Sequence, residues 1–181
     1  PVSGNSVLNI NHYDDYVFYE LEETNLLAVG KLWFGESFNI ENNRSFSIPF
    51  PNALANSQVS VKVAAVTQSS STSTMNVTVN SEVLAPLSFT AVSTSSSVRS
   101  GLARYDVSDG LASVSGDNVN VNLVYNNNGN PSANAYLDFI EVFGKKQLTA
   151  NGNQFTFRNF EAINTSGVIE YQIDNSNNIF Q

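Results

Sequence analysis

The feature that most constrains this chain is a two-residue alternation of apolar and polar side chains, repeated along most of its length. Ser57 to Thr67 sets Val59, Val61 and Val63 on one side and Ser60 and Lys62 on the other. Met75 to Val79 alternates Met, Val and Val with Asn76 and Thr78. Asn118 to Tyr125 sets Val119, Val121 and Leu123 against Asn118, Asn120, Asn122 and Val124. Tyr136 to Phe143 is a longer apolar run broken only by Asp138 and Glu141. Phe155 and Phe157 alternate with Thr156 and Arg158, and Val168 to Ile173 closes the series. Successive side chains of a strand point to opposite faces, so this period predicts half-buried β-strands. No window of a dozen residues keeps an apolar face at helical spacing.

The predicted strands recur every 8 to 15 residues and are separated by turn chemistry. Ser69 to Thr74 is a Ser/Thr run, and Asp109-Gly110 and Asn151-Gly152 read as hairpin pairs. Asn126 to Pro131, Asn-Asn-Asn-Gly-Asn-Pro, is a strong turn signal. Ser93 to Ser100 reads as a long exposed loop. Strands without intervening helices imply antiparallel sheets, and one sheet cannot bury so many apolar faces. The expected fold class is therefore all-β, an antiparallel two-sheet β-sandwich of jelly-roll-like form. Residues 1–181 suffice for one domain. The aromatic and acidic segment within residues 1–40 stands apart. Tyr16 to Leu21 predicts a strand, Glu22 to Asn25 its turn, and Leu26 to Phe34 a return. The segment reads as a hairpin or arm at the sandwich edge, or one packed on a preceding domain. Pro1 in place of Met implies a piece of a longer chain.

Composition narrows the function. Charged residues make up 13% of the chain, against about 25% in an ordinary soluble domain, and Asn and Ser fill the gap. Eight Lys plus Arg against sixteen Asp plus Glu give a net charge of -8. Phosphate recognition needs clustered cations, so nucleic acid is not an expected partner. The absence of Cys excludes disulfides, thiolate metal sites and a cysteine nucleophile within the chain. The single His excludes a two-histidine zinc site. No apolar run is long enough to predict a membrane-spanning helix.

The densest motif is Gly30-Lys31-Leu32-Trp33-Phe34-Gly35-Glu36, which holds the sole Trp. Aromatic residues mostly serve cores, and that places Trp33 inside the sandwich with Gly35 in a turn. The alternative makes Trp33 and Phe34 a stacking or docking surface with Glu36 as polar partner. Asp138 falls by period two on the face of Tyr136 and Ile140, opposite Glu141. A carboxylate among such neighbours needs a partner or solvent, and Arg104 and Arg158 are candidates. A glycosidase would need two carboxylates facing each other across a cleft, a pairing that sequence does not define. Calcium needs several converging oxygens. The Asp106 to Asp117 region and the Asn126 to Asn130 loop could supply them, but no ordered calcium-loop motif is present. No cofactor is expected. His12 has no Gly-x-Ser-x-Gly elbow to activate, so a surface or packing role is expected.

The segment Tyr16 to Glu20, followed by Gly-Lys-Leu-Trp-Phe-Gly-Glu at 30–36, resembles the region before the peptidase domain in PorU-like cell-surface sortases of the type IX secretion system. Asn130-Pro-Ser-Ala-Asn-Ala-Tyr-Leu-Asp-Phe-Ile-Glu-Val is similar to that family's Asn-Pro turn and Leu-Asp-Tyr-Ile-like strand. Gln154 to Arg158 fits a third position, so the resemblance runs from Tyr13 to Phe180. It implies a parent with a gingipain-like cysteine peptidase domain and a Cys-His dyad. Such a parent removes the C-terminal signal of cargo and attaches the cargo to lipopolysaccharide at the extracellular face of the outer membrane.

With no Cys, this chain would be the all-β part upstream of that domain, which is expected after Gln181. No catalytic role transfers, and His12 does not inherit the dyad. The implied partners are the peptidase domain of the same chain, secreted cargo or secretion-system proteins, and lipopolysaccharide. The expected function is a non-catalytic scaffold, with a carbohydrate-binding jelly-roll module using an exposed Trp33, Tyr125 or Tyr136 as the alternative; a free-standing enzyme is the third hypothesis, and neither cargo-signal nor glycoside cleavage is expected. The candidate binding residues are Trp33, Phe34, Glu36, Tyr136 and Asp138.

Overall fold

The computed structural model describes residues 4–26, 31–93, 102–150, 152 and 154–176. In chain order the elements are β1 (Ser6–Ile10), β2 (His12–Glu20), β3 (Ser37–Phe38), β4 (Asn43–Pro49), β5 (Gln58–Gln68), β6 (Ser73–Val79), β7 (Glu82–Val83), β8 (Leu87–Phe89), β9 (Arg104–Ser113), β10 (Asn118–Asn126), β11 (Asn134–Gln147), α1 (Phe160–Ile163) and β12 (Val168–Tyr171). One antiparallel sheet runs β4-β10-β6-β7, with β8 also paired to β6. The other runs β2-β11-β5-β9, with β3 paired to β11.

The alternation explains the core. Val59, Val61, Val63, Ala65, Leu137, Ile140 and Val142 come from one sheet, and Met75, Val77, Val79, Val119, Val121 and Leu123 from the other. Each fully buried branched side chain contributes about 1.5–3 kcal/mol relative to exposure. Tyr125, considered above as an exposed sugar contact, is 1% exposed. Its hydroxyl shares a 2.8 Å hydrogen bond with Thr67 Oγ1, which lets a phenol sit in the core without an orphaned oxygen.

The Asn126 to Pro131 turn joins β10 to β11. Asn128 and Gly129 both have positive φ, 52° and 76°, and Asn130 N donates to Asn127 O at 3.1 Å, so a tight turn forms within a connection between the two sheets rather than a hairpin. Ser69 to Thr74 spans the β5–β6 connection. Asp109-Gly110 is not a turn. It lies inside β9, opposite Lys62 and Val61 of β5. Gly110 is there for a close approach, since a Cβ would sit 2.8 Å from Leu84 Cδ2. Of the other expected loops, 94–100 and Asn151 fall outside the described residues.

Further departures concern the two ends. β1 and β12 form a parallel pair apart from the two large sheets, so the pairing is not antiparallel throughout. Phe155 and Phe157 alternate but form no strand. Phe157 instead packs tilted against Phe155 and edge-on against Tyr171, at 5.7 and 5.2 Å between centroids. The short helix α1 had no apolar period to announce it. Asn159 caps it by accepting from the Ala162 amide at 3.0 Å, and Asp14 accepts from the Phe160 amide at 2.7 Å. Within 1–40, β2 is the edge strand of its sheet. The return that the sequence suggested narrows, among the described residues, to a bridge between Thr24 and Phe34.

Candidate functional site

The segment Trp33 to Glu36 is fastened to the middle of β11. Gly35 N donates to Leu137 O at 2.8 Å, and Leu137 N donates to Glu36 O at 3.0 Å. Gly35 passes so close to the end of β2 that a Cβ would lie 2.8 Å from the Leu21 carbonyl oxygen. This crossing turns Phe34 inward, where it is buried, and leaves Trp33 42% exposed. The expectation of a core Trp is thus corrected: the neighbouring Phe34 takes the interior position.

Glu36 meets the Tyr19 hydroxyl, which donates to its Oε1 in a short hydrogen bond. That bond, with burial second, pushes the Tyr19 hydroxyl up to about 12. The other oxygen, Glu36 Oε2, is buried without a hydrogen-bond partner.

Asp138 departs from the simple alternation. The pairing of β11 with β5 slips between Leu137 and Phe139, so Asp138 is the extra residue of a β-bulge. The slip restores Ile140 and Val142 to the core face after Leu137 and moves Phe139, Glu141 and Phe143 to the outside. Asp138 therefore does not share a face with Ile140 in the way that period two predicted. Its partner is neither Arg104 nor Arg158 but Tyr105, whose hydroxyl donates to Asp138 Oδ2 at 2.8 Å. Burial first, and this bond second, raise the Tyr105 hydroxyl well above its ordinary value. Tyr136 is half-buried on the outer face, opposite Val66. The structure thus brings Trp33, Phe34 and Glu36 to the β11 bulge next to Tyr136 and Asp138.

A further surface feature lies on the outside of the same sheet, and sequence reasoning passed over it. Register places Tyr136, Val66 and Tyr105 in one row. The next rows are Glu20-Phe139-Ala64-Val107, Phe18-Glu141-Lys62-Asp109 and Tyr16-Phe143-Ser60-Leu111. Phe18 stacks on Phe139 at 5.0 Å, and Phe160 of α1 extends the apolar area from Phe143 at 6.2 Å. Tyr16, Tyr105 and Leu111 are each more than half exposed. The available signal was β11 itself, which is apolar on both faces. Solvent on one side should have made one face polar.

The outer face of the opposite sheet is different in kind. Asn43, Ser45 and Ser47 of β4, Asn118, Asn120 and Asn122 of β10, and Thr74, Asn76 and Thr78 of β6 form a polar surface without charge. Asn122 Nδ2 donates to Asn43 Oδ1 and Ser45 Oγ at 2.7 and 3.0 Å.

The remaining candidates disperse. His12 lies beside Lys145 and Glu161, a surface ion cluster that ties α1 to the β2–β11 edge. Asp106 and Asp109 point to opposite faces of β9, and Asp106 accepts from Ser88 N at 2.7 Å. Asn126, Asn127 and Asn130 each accept from a backbone amide two residues on. The oxygens considered for calcium therefore do not converge. No cluster of three or more His, Cys, Asp or Glu suited to a metal occurs among the described residues. No described helix is long and apolar enough to cross a membrane.

Fold and surface together define a β-sandwich domain with one uncharged polar face and one aromatic face. No family model and no curated protein matches the sequence. Among solved structures, the chain is similar to dimeric latent PorU from Porphyromonas gingivalis, with a TM-score of 0.73 and 19% identity. The alignment covers 96% of this chain and 16% of that one, so the chain spans about a sixth of PorU and has the fold of one region of it. The carbohydrate-binding module CBM36, in complex with calcium and xylotriose, aligns with a TM-score of only 0.38 and 15% identity, covering 71% of this chain and 98% of that one. Likeness at that level says nothing about ligands.

Proposed function

We propose that this chain is a non-catalytic β-sandwich domain of a PorU-like type IX secretion sortase. It positions the cysteine peptidase domain, the cargo or the secretion partners at the extracellular face of the outer membrane. The observation that carries this reading is the shared fold across 96% of the chain. It agrees with the sequence resemblance at Trp33 to Glu36 and at Asn130 to Val142. The absence of Cys supports a supporting role, because the family's nucleophile has no counterpart here. Two measurements test it. The coding sequence beyond Gln181 is expected to continue into a domain with the Cys-His dyad, and a stop codon there would overturn the reading. The purified chain is expected to leave a labelled cargo signal intact, and cleavage would be equally damaging.

A second reading, a lipopolysaccharide-binding module, draws support from Trp33. An exposed indole is what a sugar-stacking site uses, and the uncharged Asn/Ser/Thr face is suited to hydroxyl-rich ligands. Calorimetry with lipopolysaccharide fragments tests it: no heat at about millimolar ligand, the weak end of the affinity range, would rule it out.

A further inference from the structure

The outer face of β2-β11-β5-β9 lies away from the core between the two sheets, yet it carries aromatic side chains as an interface does. From ordinary strand spacing and rise, the rows from Val66 to Ser60 cover about 15 Å by 20 Å. Tyr16, Phe18, Tyr105, Val107 and Leu111 are exposed on it between charged side chains, and exposed apolar residues gathered on one face mark an interaction site. Its aromatic residues are the types that dominate binding energy at such sites.

The charges set into this face identify the partner. Glu20, Glu141 and Asp109 stand in its central rows with Lys62, and Arg158 reaches its edge 5.8 Å over the Tyr16 ring. Lys62 lies 3.9 Å from Glu141, which leaves the acidic side in excess. Two copies of this chain paired face to face would set these carboxylates against their own counterparts, between molecules that each carry -8. An anionic lipid or lipopolysaccharide surface would meet the same repulsion. A protein surface that is apolar at its centre and carries Lys or Arg across from Glu20, Glu141 and Asp109 meets neither obstacle.

We infer that the aromatic outer face of β2-β11-β5-β9 docks a basic, apolar protein surface, with Tyr16, Phe18, Tyr105 and Leu111 as apolar contacts and Glu20 and Asp109 as charge partners. This deepens the positioning role proposed above and rests on it for the partner's being a protein.

Two synthetic peptides of equal length and apolar content, one alternating Lys with Leu and one alternating Glu with Leu, serve as probes. Each is titrated into the isotopically labelled full chain while backbone amide shifts are followed. The Lys peptide is expected to move amides of β2, β11, β5 and β9 and to bind at least about tenfold more tightly than the Glu peptide, a difference of about 1.4 kcal/mol. Glu20→Lys with Asp109→Lys should remove most of that preference. Leu111→Ser should weaken both peptides while the amide spectrum stays folded.

Equal binding of the two peptides, or shifts confined to the opposite sheet, would overturn the inference. So would a dimer in sedimentation that protects this face, or displacement of the peptide by a neutral glycan. A stop codon after Gln181 would remove the PorU-like reading without altering these titrations. A failed titration would leave that reading standing without this face.

Discussion

Two tyrosine–carboxylate pairs hold the candidate site, and each sets a side chain that sequence alone placed differently. Tyr105 secures Asp138 at the bulge, and Tyr19 secures Glu36 beneath the Trp33 crossing. The Tyr19 pair has a pH signature. Its hydroxyl keeps its proton in the folded chain up to about 12, against 10.0 for an ordinary tyrosine. Below pH 10 both states are protonated and the contribution is fully present. Between pH 10 and about 12 the unfolded chain loses the proton first, and the stabilisation drains away as pH rises. Denaturant midpoints measured across that window should fall for the native chain and fall less for Tyr19→Phe. At neutral pH the same substitution should cost about 1–3 kcal/mol, because it strips a half-buried carboxylate of its hydrogen-bond donor.

These pairings were not legible beforehand for a physical reason. The residues were visible as types, and Trp33, Phe34 and Glu36 were singled out together. A hydrogen bond between Tyr105 and Asp138 joins residues 33 apart and depends on a one-residue slip that no local pattern encodes.

At the scale of elements, alternation carried much of the reading and failed where a second constraint competed. β6, β10 and the first half of β5 match their predicted faces, because there one side is largely polar and the other buried. β11 does not. Its bulge shifts the phase after Leu137, and an outer face of Phe139 and Phe143 hides the shift behind more apolar residues. In β9 the Asp-Gly pair imitated a turn, though the glycine serves the packing of Leu84.

Helix α1 shows the limit of periodicity. Four residues are too few to display it, and caps together with an ion cluster hold the element. Its Glu161 is drawn below the ordinary carboxyl value, first by the hydrogen bond from Lys145 and with His12 contributing. That attachment is present above the ordinary value of 4.5 and is lost as pH falls through the lowered one. Glu161→Gln should speed hydrogen exchange at the Ala162 and Thr165 amides by about two- to fivefold at neutral pH, the scale of a surface ion pair. The core amides of β5 and β10 should be unaffected, and an unchanged α1 would show that its caps suffice.

At the scale of the molecule, the two outer faces divide the labour. One is neutral and hydrogen-bonded to itself through Asn122. The other is aromatic and acidic, with α1 at its edge. The composition that first excluded nucleic acid takes a definite place here. Asn43, Ser45, Ser47, Asn76, Asn118, Asn120 and Asn122 give one sheet its neutral coat, and Glu20, Glu141 and Asp109 give the other its acidic character.

The parallel β1–β12 pair carries a different consequence. Its register runs from Ser6 opposite Val168 to Ile10 opposite Tyr171. Because the strands run the same way, a pull on the chain ahead of Ser6 against the chain beyond Tyr171 acts along the ladder rather than across it. Its hydrogen bonds are then loaded together in shear instead of opening one after another. A domain clamped in this manner would bear tension between whatever flanks it while the sandwich, and the face it presents, stay undeformed.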